Sequence, residues 1–396
     1  MTPSPPVLYP KHCRKKMKLY EFEGVELFRR EAIPVPDSAL ASSPEEAREK
    51  AKAIGLPVVI KAQVLTGGRY LAGGVETAET LDDVETASRR ILGSTIRGLQ
   101  VHRILVVPKI EGTQEFYLGI TLDDYNGTPM AILSTEGGVS INKTAQERAE
   151  TVISHPVSIS KGLEPNDARH MCQQLGLKGK EASSVAEILE ALYRVFRKND
   201  AILAEINPLV RAPDGKFIAL DAKVEIDDSS LYRHTDLKLN PMDRIPNELE
   251  RKGREIGVSY LELDGDIAII ASGAGLGMAS MDIINKNMRA ANFLETGGGI
   301  TEELLYKVTD LVLQKKGIRG LFINVYGGIN PIHEGAKGVV RYLDEHKIKI
   351  PVVARALGNH QEETWQIFRE HGVHVVASAS TEQAIDELSR LLKGAN

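Results

Sequence analysis

Lys61 sits inside the apolar run LPVVIKAQV, where an unpaired ammonium is costly to bury. Directly after it comes Gly67-Gly68-Arg69-Tyr70-Leu71-Ala72-Gly73-Gly74. Glycines at both ends of this loop let backbone N–H groups approach an anion closely. A cation followed by such a loop suits a flexible cover over phosphates. A surface hairpin with a snorkelling lysine fits the same local spacing equally well. A Walker loop does not, because no Gly-Lys-Ser/Thr follows.

A second constellation lies in AILAEINPLVRA, Pro213-Asp214-Gly215 and KFIALDAKVEI, which read as a hairpin. Glu205 and Asn207 share one face of its first strand. A turn at Pro213-Asp214-Gly215 sets position 207 opposite Asp221. An amide oxygen and a carboxylate then converge, and Mg²⁺ takes one or two such ligands with phosphates and waters completing its octahedron. Glu205 and Asp221 both stand among apolar neighbours, so each needs a partner; a metal or a lysine such as Lys223 would serve. The alternative is a structural salt bridge from Asp221 to a nearby cation.

Two glycine-rich turns follow later strands. Ser272-Gly273-Ala274-Gly275-Leu276-Gly277 leads from DIAIIA into the helix MASMDIINK. With no acid before Asp282, the helix dipole at Gly273, Ala274 and Gly275 is open to an anion. The next turn, Gly297 to Glu303, differs: Thr301 can cap its helix and two glutamates compensate the dipole. A dinucleotide fold is the rival, with Glu295 about 20 residues on, but the glycines run G-x-G-x-G rather than G-x-G-x-x-G. Tyr326-Gly327-Gly328-Ile329-Asn330 follows the strand GLFINV, at the carboxyl end where open α/β sheets bind ligands. A tight βα turn needing glycine is the plainer reading. The ten histidines, His333, His346, His371 and His374 among them, show no metal pattern in sequence.

These groups need elements to hold them. Between Met17 and Ile33, LYEFEGVELFRREAI places Leu19, Phe22, Val25, Leu27 and Phe28 on one helical face. SSPEEAREKAKAIG is a helix capped by Ser43, opened by Pro44 and closed by Gly55. STEGG is a turn, and residues 161–199 are mostly helical. The polar, proline-dotted stretch 228–260 reads as a connection. From Asp264 the pattern becomes β-α repeats: DIAIIAS, NFLET, GLFINVY, PVVARA and VHVVAS are short apolar strands of a parallel sheet covered on both faces. That is a doubly wound, flavodoxin-like α/β domain at 264–396, after an α+β domain at 17–245 and a linker at 246–263. Residues 1–16, proline-rich and then basic, read as a disordered extension with Met17 as a fresh start; they lack the apolar core of a secretory signal.

The whole chain, 396 residues with 42% apolar and 26% charged residues, is too long for one core. Its net charge of −5, with no basic stripe, argues against nucleic acid. No apolar run can span a bilayer. The two cysteines, Cys13 and Cys172, have no activating neighbours, so both read as inert and a reducing cytoplasm, ahead of the mitochondrial matrix, is the expected compartment.

In order and spacing, IKAQVLTGGRYLAGGV, STEGGVSI, AEINPLV, ALDAKV, SGAGLGMASMDI, ANFLETGGG and NVYGGIN resemble the β subunit of succinyl-CoA synthetase. The resemblance runs from Met17 to the C-terminus. It implies an N-terminal ATP-grasp fold followed by a flavodoxin-like CoA-ligase domain. It further implies a nucleotide site of Lys61, Gly68, Arg69, Tyr70 and Glu115, with Val107 and Ile110 against the base. Asn207 and Asp221 would hold Mg²⁺, and Glu205 would lie by the phosphate as it passes to or from a histidine. Ser272, Gly328, Ile329 and Asn330 match the site of the small dicarboxylic acid. The helix opening at Gly273 would face a phosphohistidine. That histidine and the CoA pocket belong to an α-type partner subunit, so this chain alone should be inactive. The implied reaction joins acid, CoA and ATP or GTP into acyl-CoA, NDP and phosphate, a covalent relay that splits one transfer into easier steps.

Departures from the family pattern stand at the sites themselves. Tyr70-Leu71 replaces Gly-Lys, Val107 replaces Glu, Ser272 replaces Asn, and Asn330-Pro331-Ile332 stands where V-R-C or N-R-C is usual. Losing that arginine admits a different acid, malate or citrate. A nucleotide-binding paralogue without turnover is a further alternative, and an NAD(P)-dependent oxidoreductase on the second domain is disfavoured by its glycine spacing.

Overall fold

A computed structural model describes residues 16–138, 148–377 and 380–394. The expected extension lies outside these residues apart from Lys16. The chain divides into two compact units, the first reaching to Asn240 and the second starting at Pro241.

In the first unit, two antiparallel sheets carry the site. The smaller runs Ala39–Ala41, Ile104–Pro108, Val58–Ala62, Val75–Ala78. The helices Pro44–Ile54 and Leu81–Ile91 cover one face of it, where Val58, Ile60, Ala62, Ile104 and Val106 meet Ala47, Ala51, Val84 and Ile91. Ser43, Pro44 and Gly55 bound the first of these helices as expected; the Ser43 hydroxyl accepts from the Glu46 N–H, and Gly55 takes φ +97°. The larger sheet orders Lys16–Lys18, Lys223–Asp227, Ala201–Arg211, Gln114–Asp123, Thr128–Ser134, Val152–Pro156, with Phe217–Ala219 also paired to Ala201–Arg211. Helices Glu21–Arg30, Pro165–Gln174 and Gly179–Lys198 bury their apolar faces in its core, around Phe28, Phe116, Leu118, Met171 and Leu192.

The second unit contains five parallel strands in the order Asn292–Glu295, Ile267–Ala271, Gly320–Gly327, Val352–Gly358, His374–Val375. Counted along the chain this is 2-1-3-4-5, the flavodoxin-like order. Ile267–Ala271 is buried throughout, as a strand covered on both faces must be. The expected linker is not one. Within 246–263 the chain forms the helix Glu248–Glu255 and the strand Ser259–Glu262, which pairs antiparallel with Asn292–Glu295 as the sheet's outer edge. Its short apolar stretch was hidden by the polar, proline-dotted sequence before it. Among the described residues no helix is long and apolar enough to cross a membrane.

Helix Ile332–Glu345 packs so closely on helix Glu302–Gln314 that a Cβ on Gly338 would lie 2.0 Å from the Glu302 carbonyl oxygen. Backbone cannot yield there cheaply, so Gly338→Ala is expected to destabilise the second unit by about 1–3 kcal/mol. Urea unfolding of the variant beside the parent checks this, and an unchanged midpoint contradicts the packing.

Candidate functional site

Alternation along Val58–Ala62 turns Val58, Ile60 and Ala62 into the helix-covered core and Lys61 to the opposite face. Val107 pairs with Val59 and Leu105 with Lys61, so Val107 shares the lysine's face and is buried there. The counter-charge for Lys61 is Glu21, whose Oε1 accepts from the ammonium at 2.9 Å. The Leu220 carbonyl accepts from the same Nζ at 2.5 Å. Glu21 also faces the Arg69 guanidinium at 2.8 Å, and Gln63 donates to it at 3.3 Å. Arg69 donates onward to both Asp221 oxygens, at 3.0 and 2.9 Å, and to the Ala62 carbonyl at 2.9 Å. One chain of charge thus runs Lys61, Glu21, Arg69, Asp221, and it sums to zero.

Glu21 is almost fully buried, with 3% of its side chain exposed, while Asp221 keeps 37%. Burial alone would raise the Glu21 carboxyl, but the Lys61 and Arg69 charges outweigh it and hold the carboxyl at about 2. Burial works against the Arg69 charge, and Glu21 and Asp221 overcome it, raising its pKa further. Both groups therefore stay charged at neutral pH.

The hairpin has the register its sequence predicts. Leu209 faces Ala219 and Glu205 faces Lys223, which places 207 level with 221 between them. Asp221 makes its salt bridge to Arg69, and Lys223 pairs with Glu205 at 3.2 Å. Gly119 stands opposite Glu205, and a Cβ there would meet the Tyr117 hydroxyl at 2.6 Å. Burial, with the Glu205 charge, pushes the Tyr117 phenol up and keeps it protonated. The turn after Ser134 closes on this edge: the Gly138 N–H donates to Asn207 Oδ1 at 2.7 Å. Gly138 takes φ +72°, the left-handed region that favours glycine, and a Cβ there would sit 2.4 Å from a Glu115 carboxylate oxygen. Asn207 and Glu115 thus meet at Gly138, whereas Lys61, Arg69 and Asp221 meet at Glu21. Gly68 lies against the Arg97 guanidinium, Tyr70 and Leu71 point outward, 75% and 85% exposed, and Ile110 is half-buried beyond its strand.

In the second unit, the loops after three neighbouring strands converge at the carboxyl edge. The Ser272 hydroxyl accepts from the Tyr326 N–H at 2.9 Å and donates to the Tyr326 carbonyl at 3.2 Å. The Asn330 amide donates to the Gly298 carbonyl. This is the crevice between strands one and three, where the 2-1-3 order reverses. Helix Ala274–Ile284 opens at Gly273 with no acid in its first turn and no side-chain cap, starting earlier than MASMDIINK. The contrasting helix, Glu302–Gln314, is capped by Thr301, whose hydroxyl accepts from the Leu304 N–H. Gly328 and Ile329 stand at the loop's tip, Ile329 being 91% exposed.

Sequence reading missed Glu21. The signal was present: 21, 25 and 28 fall on the helix's apolar stripe, and an acid belongs there only if it is paired. Cys172 is buried, which pushes its thiol up to about 12 and leaves it unreactive.

A buried pair of cations in an antiparallel two-sheet unit, joined to a doubly wound unit with open glycine turns, defines a two-domain ligase class. Comparisons with known proteins agree. Residues 18–211 match the ATP-grasp domain model and residues 270–388 the CoA-ligase model. The chain is 40% identical over 360 residues to the GDP-forming succinate–CoA ligase β subunit of Thermus thermophilus, covering 91% of this chain and 95% of that one. It is 41% identical to the ADP-forming β subunit of Chloroflexus aurantiacus (87% and 92% covered) and 38% to that of Desulfurococcus amylolyticus (96% and 100%). An ATP citrate lyase structure from Methanothrix soehngenii, with citrate and coenzyme A, shares the fold at TM-score 0.74 and 21% identity, over 95% of this chain and all of that one. The chain belongs to the succinate–CoA ligase β-subunit family.

Glu21→Gln leaves two buried cations short of an anion and is expected to cost about 3–5 kcal/mol at neutral pH. Because the folded carboxyl lies below its ordinary 4.5, the stabilisation is complete above that pH and fades as pH falls toward 2. Urea midpoints of parent and variant, followed from neutral pH to about pH 3, should converge; a gap independent of pH would show that the Glu21 charge contributes nothing.

Proposed function

We propose that this chain is the nucleotide-binding β subunit of an acid–CoA ligase, converting succinate or a related dicarboxylate, CoA and ATP or GTP to acyl-CoA, NDP and phosphate. Its partner is an α-type subunit bearing the CoA pocket and the phosphorylated histidine. The observation that carries this reading is Lys61 and Arg69, both within the segment matched to the ATP-grasp model, converging on Glu21 with Asp221 beside Arg69. Two fixed cations there bind and orient a triphosphate, and positioning with charge neutralisation is most of what phosphoryl transfer requires.

Asn207 and Asp221 carry hard oxygen donors at one register position; Asn207 Oδ1 accepts from the Gly138 N–H and both Asp221 oxygens accept from Arg69, so Mg²⁺ would have to draw them from these partners. When bound, the ion neutralises phosphate charge. Gly68, Tyr70, Val107, Ile110 and Glu115 complete the nucleotide site in this reading. Glu205, beside Lys223, stands where the phosphoryl group passes between nucleotide and histidine. The phosphoryl group then moves from histidine to the acid's carboxylate, and the CoA thiol displaces phosphate from the acyl phosphate.

In the second unit the Gly273 helix terminus supports the phosphohistidine, and Ser272, Gly328, Ile329 and Asn330 meet the acid. A second reading, an acid other than succinate such as malate or citrate, rests on one departure from the family pattern. Ser272 and Asn330 commit their polar groups to neighbouring backbone, and Pro331 and Ile332 bring no cation to that loop.

The test is co-expression with the α-type subunit, assaying acyl-CoA formation from succinate, malate and citrate with MgATP and MgGTP. Turnover with one of these acids is the expected result. A well-folded complex inactive with all three would favour a non-catalytic paralogue. Asp221→Ala is expected to abolish Mg²⁺-dependent phosphorylation of the partner's histidine; phosphorylation at the parental rate would remove Asp221 from the metal site.

A further inference from the structure

The second unit gathers one more set of ligating side chains, which sequence spacing did not reveal. His333 lies in the first turn of helix Ile332–Glu345, just after the Gly328–Asn330 loop. His360 caps helix Gln361–Glu370, at the end of strand Val352–Gly358, and Glu363 lies in that helix's first turn. The imidazole centroids are 4.5 Å apart. One donor atom from each of His333, His360 and Glu363 lies within 4.8 Å of the other two. His360 Nδ1 is 3.2 Å from Glu363, and His333 Nε2 is 3.9 Å from it. Glu334, itself held by Lys337 at 2.6 Å, stands 3.0 Å from His333 Nε2.

His333 is the informative member. Its side chain is 13% exposed, and its Nδ1 is buried with no hydrogen-bond partner. A metal on Nε2, the nitrogen that faces Glu363, would fix the ring proton on Nδ1. Two imidazoles and a carboxylate are three donors for a borderline cation. The nitrogens select against Mg²⁺ and Ca²⁺, which prefer oxygen.

We propose that His333, His360 and Glu363 form a site for a first-row divalent transition metal of the zinc class, with a fourth position left to water. The site pins the Gly327–Pro331 loop to the turn at Gly358–His360. Backbone already joins these turns: Asn359 N–H donates to the Gly327 carbonyl at 2.7 Å, and the Asn359 amide to the Ile329 carbonyl at 3.1 Å. Gly358, at φ +116°, packs so close that a Cβ would meet the Gly327 oxygen at 2.2 Å. A metal there steadies the loop that carries Gly328, Ile329 and Asn330. That consequence rests on the proposed function; the binding does not.

The test uses the full-length chain, stripped with chelator and titrated with Co²⁺. Saturation of a single site with visible d–d absorption is expected, displaced by Zn²⁺ and not by excess Mg²⁺. Zn²⁺ should raise the melting temperature. His333→Gln and His360→Gln should each weaken Co²⁺ by more than the roughly 10–100-fold that losing an outer partner costs. Glu363→Gln, at a half-exposed position, should weaken it without disturbing the fold seen by circular dichroism. Absence of saturable Co²⁺ binding overturns the proposal, as does binding that survives in the His333→Gln/His360→Gln protein. All these readouts need neither partner nor substrate, so they stand apart from the acyl-CoA assay.

Discussion

A carboxylate buried between two cations organises the first unit. Glu21 enters on the helix Glu21–Arg30, Lys61 on the smaller sheet, Arg69 on the glycine-rich loop and Asp221 from the hairpin of the larger sheet. The carboxylate's desolvation is offset only while both cations stay, and their burial only while the carboxylate stays. The charges therefore hold the site's parts in one arrangement, and that arrangement sets two cations and an acid on a common face. The same chain of charge keeps the site electrically neutral.

Glycines position the remaining parts by permitting close approach. At Gly138 the turn after Ser134 comes within reach of Glu115 and Asn207; at Gly358 one βα turn rests directly on another. In the second unit the sheet order does the equivalent work. Reversal of strand order between Ile267–Ala271 and Gly320–Gly327 opens a crevice at their carboxyl ends, and the Ser272 and Asn330 loops line it. Ser272 bonds the Tyr326 backbone and the Asn330 amide donates to the Gly298 carbonyl, so both side chains are held by neighbouring backbone.

Most departures from the family pattern fall on loops, while Val107 is buried within the strand Ile104–Pro108. Tyr70 and Leu71 extend outward from the glycine-rich loop, and Ile329 stands at the tip of its own. Arg69, by contrast, keeps its buried place with Glu21 and Asp221.

Local pattern alone determined much of this protein. Period-two and period-3.6 alternation marked the strands and helices, Ser43 and Thr301 marked helix starts, and the Pro213-Asp214-Gly215 turn fixed the register that sets 207 level with 221. These are short-range effects, set by neighbours within a few residues. Tertiary structure decided what depends on distant partners. Lys61 found its counter-charge 40 positions earlier in the chain, at Glu21. Asp221 took Arg69 and left Lys223 to Glu205. Residues read as a linker became an edge strand because Asn292–Glu295 offered an unpaired side. His333 and His360, unremarkable in sequence, meet only because strands 320–327 and 352–358 lie side by side. Spacing in sequence reports the backbone's local geometry; which charges and rings meet is set by the packing of elements that no local pattern encodes.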